Sequence, residues 1–581
     1  MPLNPYYEDE LNYLRELGEE FARANPMIAG FLSREGNDPE VERLLEGFAF
    51  LIARLRQKLE DEMPELVHGL IRLIWPHYLR TVPPMTMMQF GAVAGAGDIA
   101  LALPAHTVVQ SVAVDNFYCR FRTCYATKVL PLAVRSIDLD NRVTSARLTL
   151  TLDLQGRAVP AVLAAAPLRL FLNGERDPAV GRLLLAFLLR HVRQIVASAS
   201  GREITLGPDA LTAGGFGPDE VVLPYPSNGF AGFRILQEYL AFPEKFLFAD
   251  LAGLEALASA RGGPITLRFE FDRPFPEQFR ASERMIMLNC VPAINLYATD
   301  ALPIRLDRAK TDYRIKPSDG LAASIHSVDR VTGYFEDRGT VQIEPFESMR
   351  HDLPGSDPRG TLFFRERLRP ATVGQGVEHY LAFVTRQDAT ADAKLDMASV
   401  QLTCSNGPLT QRLGIGSVDR PHAETPSGLV FRNVTAVTRE AQPPVGDAIL
   451  WRLISNLSRN YGTISDVASL RSLIASYDFR AVYDSQARRR LELMLEGIES
   501  IRSSSENALL RGVPMRVRKV VLQAAESKLG GEGELFLLGA VIDSLLGAYA
   551  GINTLHRFSA EGTETNARYR WPLRIGMTSA I

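Results

Sequence analysis

The chain has 581 residues, 46% hydrophobic and 23% charged, which is ordinary globular composition and excludes a disordered or fibrous protein. Lys and Arg number 64 against 67 Asp and Glu, a formal net charge of -3, and no long basic run stands out. A nucleic-acid-binding footprint is therefore not expected. The length exceeds what one hydrophobic core spans and predicts roughly three or four domains. Met1–Glu10 lacks the basic flank and apolar stretch of a secretory signal. No apolar run reaches the roughly 20 residues that cross a bilayer, since the best candidate, 535–552, contains Asp543 and several glycines. The expected location is the cytoplasm. Cys119, Cys124, Cys290 and Cys404 are too few and scattered for a disulfide framework. Cys119 and Cys124 would supply only half a zinc site, and buried free thiols are the expected state.

Taken in chain order, the pattern predicts an α+β multidomain protein. It has an N-terminal helical region over 1–85, a β-rich domain with one inserted helix over 86–320, a second β-rich module over 321–430, and a C-terminal helical and mixed α/β domain over 440–581. Tyr7, Leu11, Leu14, Gly18 and Phe21 share one helical face. A second helix begins at Asp38-Pro39, where Asp caps free amides and Pro suits the first turn. Its apolar positions Val41, Leu45, Phe48, Ile52, Leu55 and Leu59 step by four and three, a heptad-like seam for lengthwise packing on other helices. A third helix is expected from Pro64 to about Tyr78. The period then becomes two: Leu148, Leu150, Leu152 and Leu154 alternate with polar residues, as do Ile265, Leu267, Phe269 and Phe271. One amphipathic helix is predicted at about 178–197. Residues 405–428 are expected to be a loop or linker. Helices return at about 449–457, 465–474, 485–502 and 535–552, with a strand through Val513, Met515 and Val517.

Each enzyme-like motif fails on spacing or context. Gly95-Ala96-Gly97-Asp98-Ile99-Ala100 matches a dinucleotide fingerprint superficially, but that site needs a helix at the turn and Pro104 breaks it. Gly530-Gly531-Glu532-Gly533 has no Lys-Ser or Lys-Thr to complete a phosphate loop. Asp138-Leu139-Asp140-Asn141 opens like a calcium loop, yet Val143 and Thr149 stand where a Gly and a bidentate Glu are required. The nine histidines form no H-x-x-x-H pair, and no G-x-S-x-G elbow exists. Glu238, Glu244 and Asp250 are the remaining candidates for a glycosidase-type carboxylate pair. No catalytic, cofactor-binding or metal-binding residue is assigned, and no cofactor is expected.

Six stretches together resemble one family. They are Asp38–Leu51 continuing to Pro76-His77-Tyr78-Leu79-Arg80; Cys119–Tyr125; Leu223-Pro-Tyr-Pro226 with Leu236–Phe248; Leu288–Leu296; Pro444–Asp447 through Trp451–Ser455 and Tyr477-Asp-Phe479; and Gly533–Gly539 with Asp543, Tyr549–Asn553 and Tyr569-Arg-Trp-Pro572. In this order they resemble the TssF family (also called VasA or ImpG) of type VI secretion baseplate components. The one local departure is Cys404-Ser-Asn-Gly-Pro408, where the family would have a longer polar motif. The resemblance implies a non-enzymatic wedge protein, docked at the inner-membrane secretion complex through its partners. Those partners would be TssG, with two TssF per TssG, a second TssF copy, TssE, TssK and the VgrG spike. It implies no nucleic acid and no direct membrane insertion. A wedge protein of a contractile phage-like tail outside secretion, or a carbohydrate-acting enzyme built on β-domains, are the other readings. The seam at 41–59 is the candidate partner interface. It packs either in a mixed bundle with TssG and the second copy, or on the chain's own helices at 6–22 and 64–78.

Overall fold

In the computed structural model the described residues of the N-terminal part are Tyr7, Leu11, Leu14, 43–44, 46–53 and 68–73. Beyond them, the described residues are 75–93, 99–156, 159–174, 177–225, 230–260, 262–306, 310–320, 323–335, 339–347, 362–371, 376–385, 395–445, 466–510, 513–549 and 555–575. The chain divides into two compact units, Met1–Ile74 with Gly446–Trp451, and Trp75–Val445 with Arg452–Ile581. The first is helical wherever it is described. The second is α+β and contains several sheets.

The alternating sequences form strands, and their apolar sides form the core. Ile265, Leu267, Phe269 and Phe271 are all buried, and this strand lies between Ala146–Leu154 and Val192–Ala199 in a five-stranded antiparallel sheet. A six-stranded sheet has the order Arg420–Pro421, Val108–Val114, Phe117–Thr123, Cys290–Ile294, Met85–Ala92, Leu429–Asn433. The chain leaves this sheet after Ile294, builds an eight-stranded sheet over Tyr297–Ser405 with its own apolar core, and returns at Arg420. Exit and return are tied together. The Asn406 amide donates to Asn295 Oδ1 at 2.6 Å, and Asn295 Nδ2 donates to Asn406 Oδ1 at 2.9 Å. Residues 405–428, expected to be a loop or linker, instead include a 3-10 helix at Gly407–Arg412 and the edge strand Arg420–Pro421, with Asn406, Thr410, Leu413 and Val418 buried.

The helix starting at Pro178 ends at Arg190, short of the expected 197, and Val192–Ala199 is a strand. Asp177 caps its start through the Ala179 amide at 2.9 Å. The β-branched Ile195 and Val196 then pair with Phe269 and Arg268, and this pairing overrides the helical period. In the same way the helix Ser485–Gly497 gives way at Ile498 to a strand, Ile498–Leu510, which pairs with Val513–Ala524. The region expected to continue one helix from Pro64 to Tyr78 is helical over 68–73, with a separate 3-10 turn at Pro76–Leu79. Pro76 accounts for the break, because its ring fits a first turn and not a helix interior. The predicted helix at 449–457 lies outside the described residues, whereas Val467–Tyr477 is helical.

Candidate functional site

Within the larger unit, parts of several stretches that suggested a family meet in space. His77 stacks on Tyr225 with ring centroids 3.8 Å apart. Its neighbour Tyr78 donates to the Ser476 carbonyl at 2.8 Å and meets Tyr477 and Phe479 edge-on. Glu238 Oε1 accepts from the Val222 and Leu223 amides at 2.8 and 2.9 Å, and its other oxygen accepts from Lys245. Both side chains of this ion pair are essentially without solvent contact. Tyr239 donates to Glu534, which also pairs with the buried Arg182 at 2.5 Å. The Cys124 amide donates to the Pro292 carbonyl at 2.9 Å. The shared residues thus hold distant segments together.

The glycines of Gly533–Gly539 serve close packing. A Cβ on Gly533 would stand 2.4 Å from the Leu183 nitrogen, and one on Gly539 would stand 2.4 Å from the Trp571 ring. The helix Glu532–Tyr549 therefore lies directly against the backbone of Pro178–Arg190 and under Trp571. Asp543, buried in that apolar helix, forms an ion pair with Arg574, Nε to Oδ2 2.7 Å, and its other oxygen sits 3.3 Å from His556 Nε2.

The remaining enzyme-like candidates have structural surroundings. Glu238 is occupied by two amides and Lys245, and Asp250 is held bidentate by Arg169 at 2.7 Å for each contact. Glu244 is half-buried in the 3-10 turn Pro243–Phe246. Asp138–Asn141 belongs to the strand Leu132–Asn141, so it does not form the loop that calcium coordination needs. Gly95–Asp98 lies outside the described residues; Ile99 and Ala100 are not helical and Leu101–Leu103 is a strand.

All four cysteines are free and buried. Burial raises the pKa of each thiol, to about 12 for Cys404. Thiolate is the reactive form. Native protein at pH 8 is therefore expected to resist a thiol-specific chromogenic reagent and to react at four sites once unfolded in guanidinium; rapid labelling before unfolding would contradict this burial.

Of the candidate interface residues, Phe48 is exposed at 57% and Ile52 is half-buried, while Val41, Leu45, Leu55 and Leu59 lie outside the described residues. Among the described residues of this helix, Ala49 and Ala53, one turn apart, are buried. Leu44, Phe48 and Leu51 are exposed and line an open hollow with Arg43 and Gly47. Large apolar side chains grouped on an exposed helix face are a mark of interaction surfaces.

The profile of the family described as "Type VI secretion system, TssF" matches residues 2–578. The chain belongs to this family. It is 29% identical to the type VI secretion system component TssF1 of Pseudomonas aeruginosa (strain PAO1) over 98% of each chain. It is similar to a chain in the cryo-electron microscopy structure of the TssK-TssF-TssG baseplate subcomplex, with TM-score 0.73 and 26% identity over 92% of this chain and 99% of that one. It also shares its fold with a chain of the baseplate complex from the type VI secretion system, at TM-score 0.58 and 23% identity, covering 99% and 100% of the two chains. In this TssF family member, residues of these stretches tie distant segments of the larger unit together, and the exposed helix face is the candidate contact surface. No described helix is long and apolar enough to cross a membrane.

Proposed function

We propose that this chain is a structural, non-enzymatic subunit of a type VI secretion baseplate wedge. The observation that carries the reading is the family match over residues 2–578, together with the full-length likeness to a chain solved with TssK and TssG. In this reading it joins a TssG-like partner as two copies to one, engages TssK- and TssE-like proteins, and surrounds a VgrG spike. It reaches the inner-membrane complex only through those partners. The N-terminal helical region would serve assembly, with the central β-rich modules and the mixed C-terminal domain forming the body.

Co-expression with a TssG-like partner and native mass measurement test the composition. A two-to-one complex is expected, and a stable one-to-one complex would contradict it. The helix bearing Phe48 is proposed as part of the contact with that partner or with the second copy. Because Phe48 faces outward, Phe48→Asp should leave the circular dichroism spectrum unchanged while abolishing co-purification with the partner. A variant that unfolds would assign Phe48 to internal packing, and one that still binds would remove this face from the interface.

A further inference from the structure

We infer that the strand Ile498–Leu510 is a self-association edge, pairing antiparallel with the same strand of a second copy of this chain about a two-fold axis at Ser504. This names a surface for the contact between copies, and it rests on the wedge reading only in taking two copies to meet in one assembly.

The strand is the terminal one of its sheet, whose order is Ile498–Leu510, Val513–Ala524, Leu555–Gly562, Arg568–Arg570. Among the described residues, its far side therefore presents backbone donors and acceptors that no strand takes up. It is 13 residues long and contains no proline, so neither of two common means of blunting an edge is used. Among the described residues, Leu555–Gly562 backs the inner strand from Val517 onward.

The residues along the edge favour its own copy as that strand. Arg502, Ser503, Ser504, Ser505 and Asn507 are exposed, and Glu506 is half-buried. Because outward-facing backbone groups alternate, a two-fold antiparallel pairing must be centred on a residue. Centred on Ser504, it sets Ser504 against itself, Ser503 against Ser505, and Arg502 against Glu506 at both ends. Small hydroxyl residues then fill the middle and opposite charges close each side, the cross-strand arrangement that stabilises a sheet. Centring on Ser503 or Ser505 instead sets Arg502 against Ser504 or Ala508 and loses both charge pairs. Glu506 now reaches Arg557 at 3.1 Å, but both side chains are more than a third exposed and this surface pair holds Glu506 weakly.

Disulfide trapping tests the register in the full-length chain, alone and with its co-expressed TssG-like partner. The four native cysteines are buried and do not compete. Directly opposed residues have Cα atoms about 4.5–5.5 Å apart, within disulfide reach, whereas positions offset by two residues lie beyond about 7 Å. Under mild oxidation Ser504→Cys should give a covalent dimer and Ser503→Cys should not. Arg502→Cys mixed with Glu506→Cys should cross-link although neither does so alone. Adding Arg502→Glu to the Ser504→Cys chain should lower dimer yield at least tenfold, and Glu506→Arg should then restore it. No Ser504→Cys dimer in either preparation, or equal cross-linking at Ser503→Cys, overturns the inference. A two-to-one complex without the cross-link would refute this edge and leave the wedge reading standing. A cross-linked chain that binds no partner would do the reverse.

Discussion

Lowering the pH from 7 to 4 is expected to destabilise the larger unit, Trp75–Val445 with Arg452–Ile581, by about 6 kcal/mol through His77 and His326 alone. Burial, reinforced by the Arg80 charge, lowers each imidazole from 6.5 to about 3. His326 Nδ1 donates to the Thr81 carbonyl at 3.0 Å, and His77 lies against Tyr225 with neither ring nitrogen hydrogen-bonded. Between pH 6.5 and 3 the unfolded chain binds a proton at each position and the folded chain does not. The stability contributed by the neutral rings is therefore complete above about 6.5 and is lost as pH falls toward 3. Each ring accounts for about 3 kcal/mol by pH 4. Glu440, whose pKa burial raises, works in the opposite direction and offsets part of the loss. Urea denaturation at pH 7, 5.5 and 4 measures the slope. His77→Phe keeps a ring against Tyr225 and should remove about half of it. A slope unchanged by both His77→Phe and His326→Gln would show that these rings are not the groups titrating.

Lys245→Met should cost about 3–5 kcal/mol, the usual consequence of leaving a buried charge without its partner. The Glu238 carboxylate would keep the Val222 and Leu223 amides but lose its cation in a site closed to water. The double change Glu238→Gln with Lys245→Met should recover most of the loss. A glutamine carbonyl still accepts both amides, and no charge then remains to desolvate. Thermal and urea unfolding of the two single variants and the double variant form the required cycle. Strict additivity, with no recovery in the double variant, would mean that the pair is not coupled as its geometry indicates.

Short-range periodicity carried much of the fold into view. The alternation at Ile265–Phe271 and Leu148–Leu154 located strands because one face of each is buried, and the return of helical spacing located Val467–Tyr477 and Glu532–Tyr549. Helix ends were less legible. At Arg190 and Gly497 the following residues keep a passable helical pattern, and only the neighbouring strands decide otherwise. The return of Leu429–Asn433 to the strand Met85–Ala92 leaves no local signal, since pairing across more than 300 residues depends on the assembled sheet. The same holds for Arg182 with Glu534 and for Tyr78 with Ser476. Gly533 illustrates the difference. Within its own stretch it marks a turn, and only the approach of Leu183 shows why a side chain has no room there. Of the seam, the heptad spacing located a helix, but it did not say that, among the described residues, Ala49 and Ala53 would be buried while Phe48 faces outward.

The ties between Asn295 and Asn406 bear on the order in which the chain acquires its structure. For the six-stranded sheet, everything between those two asparagines is one loop of about 110 residues, whose closure costs roughly 4 kcal/mol in chain entropy if the loop is formless. The intervening residues are not formless: their own sheet sets Tyr297 opposite Cys404 and so brings the two ends side by side. Once that inner module has folded, this closure is already made, and the effective separation between Met85–Ala92 and Leu429–Asn433 is shortened by the length of the module. A topology with high apparent contact order thus reduces to two nested searches, the inner one easing the outer.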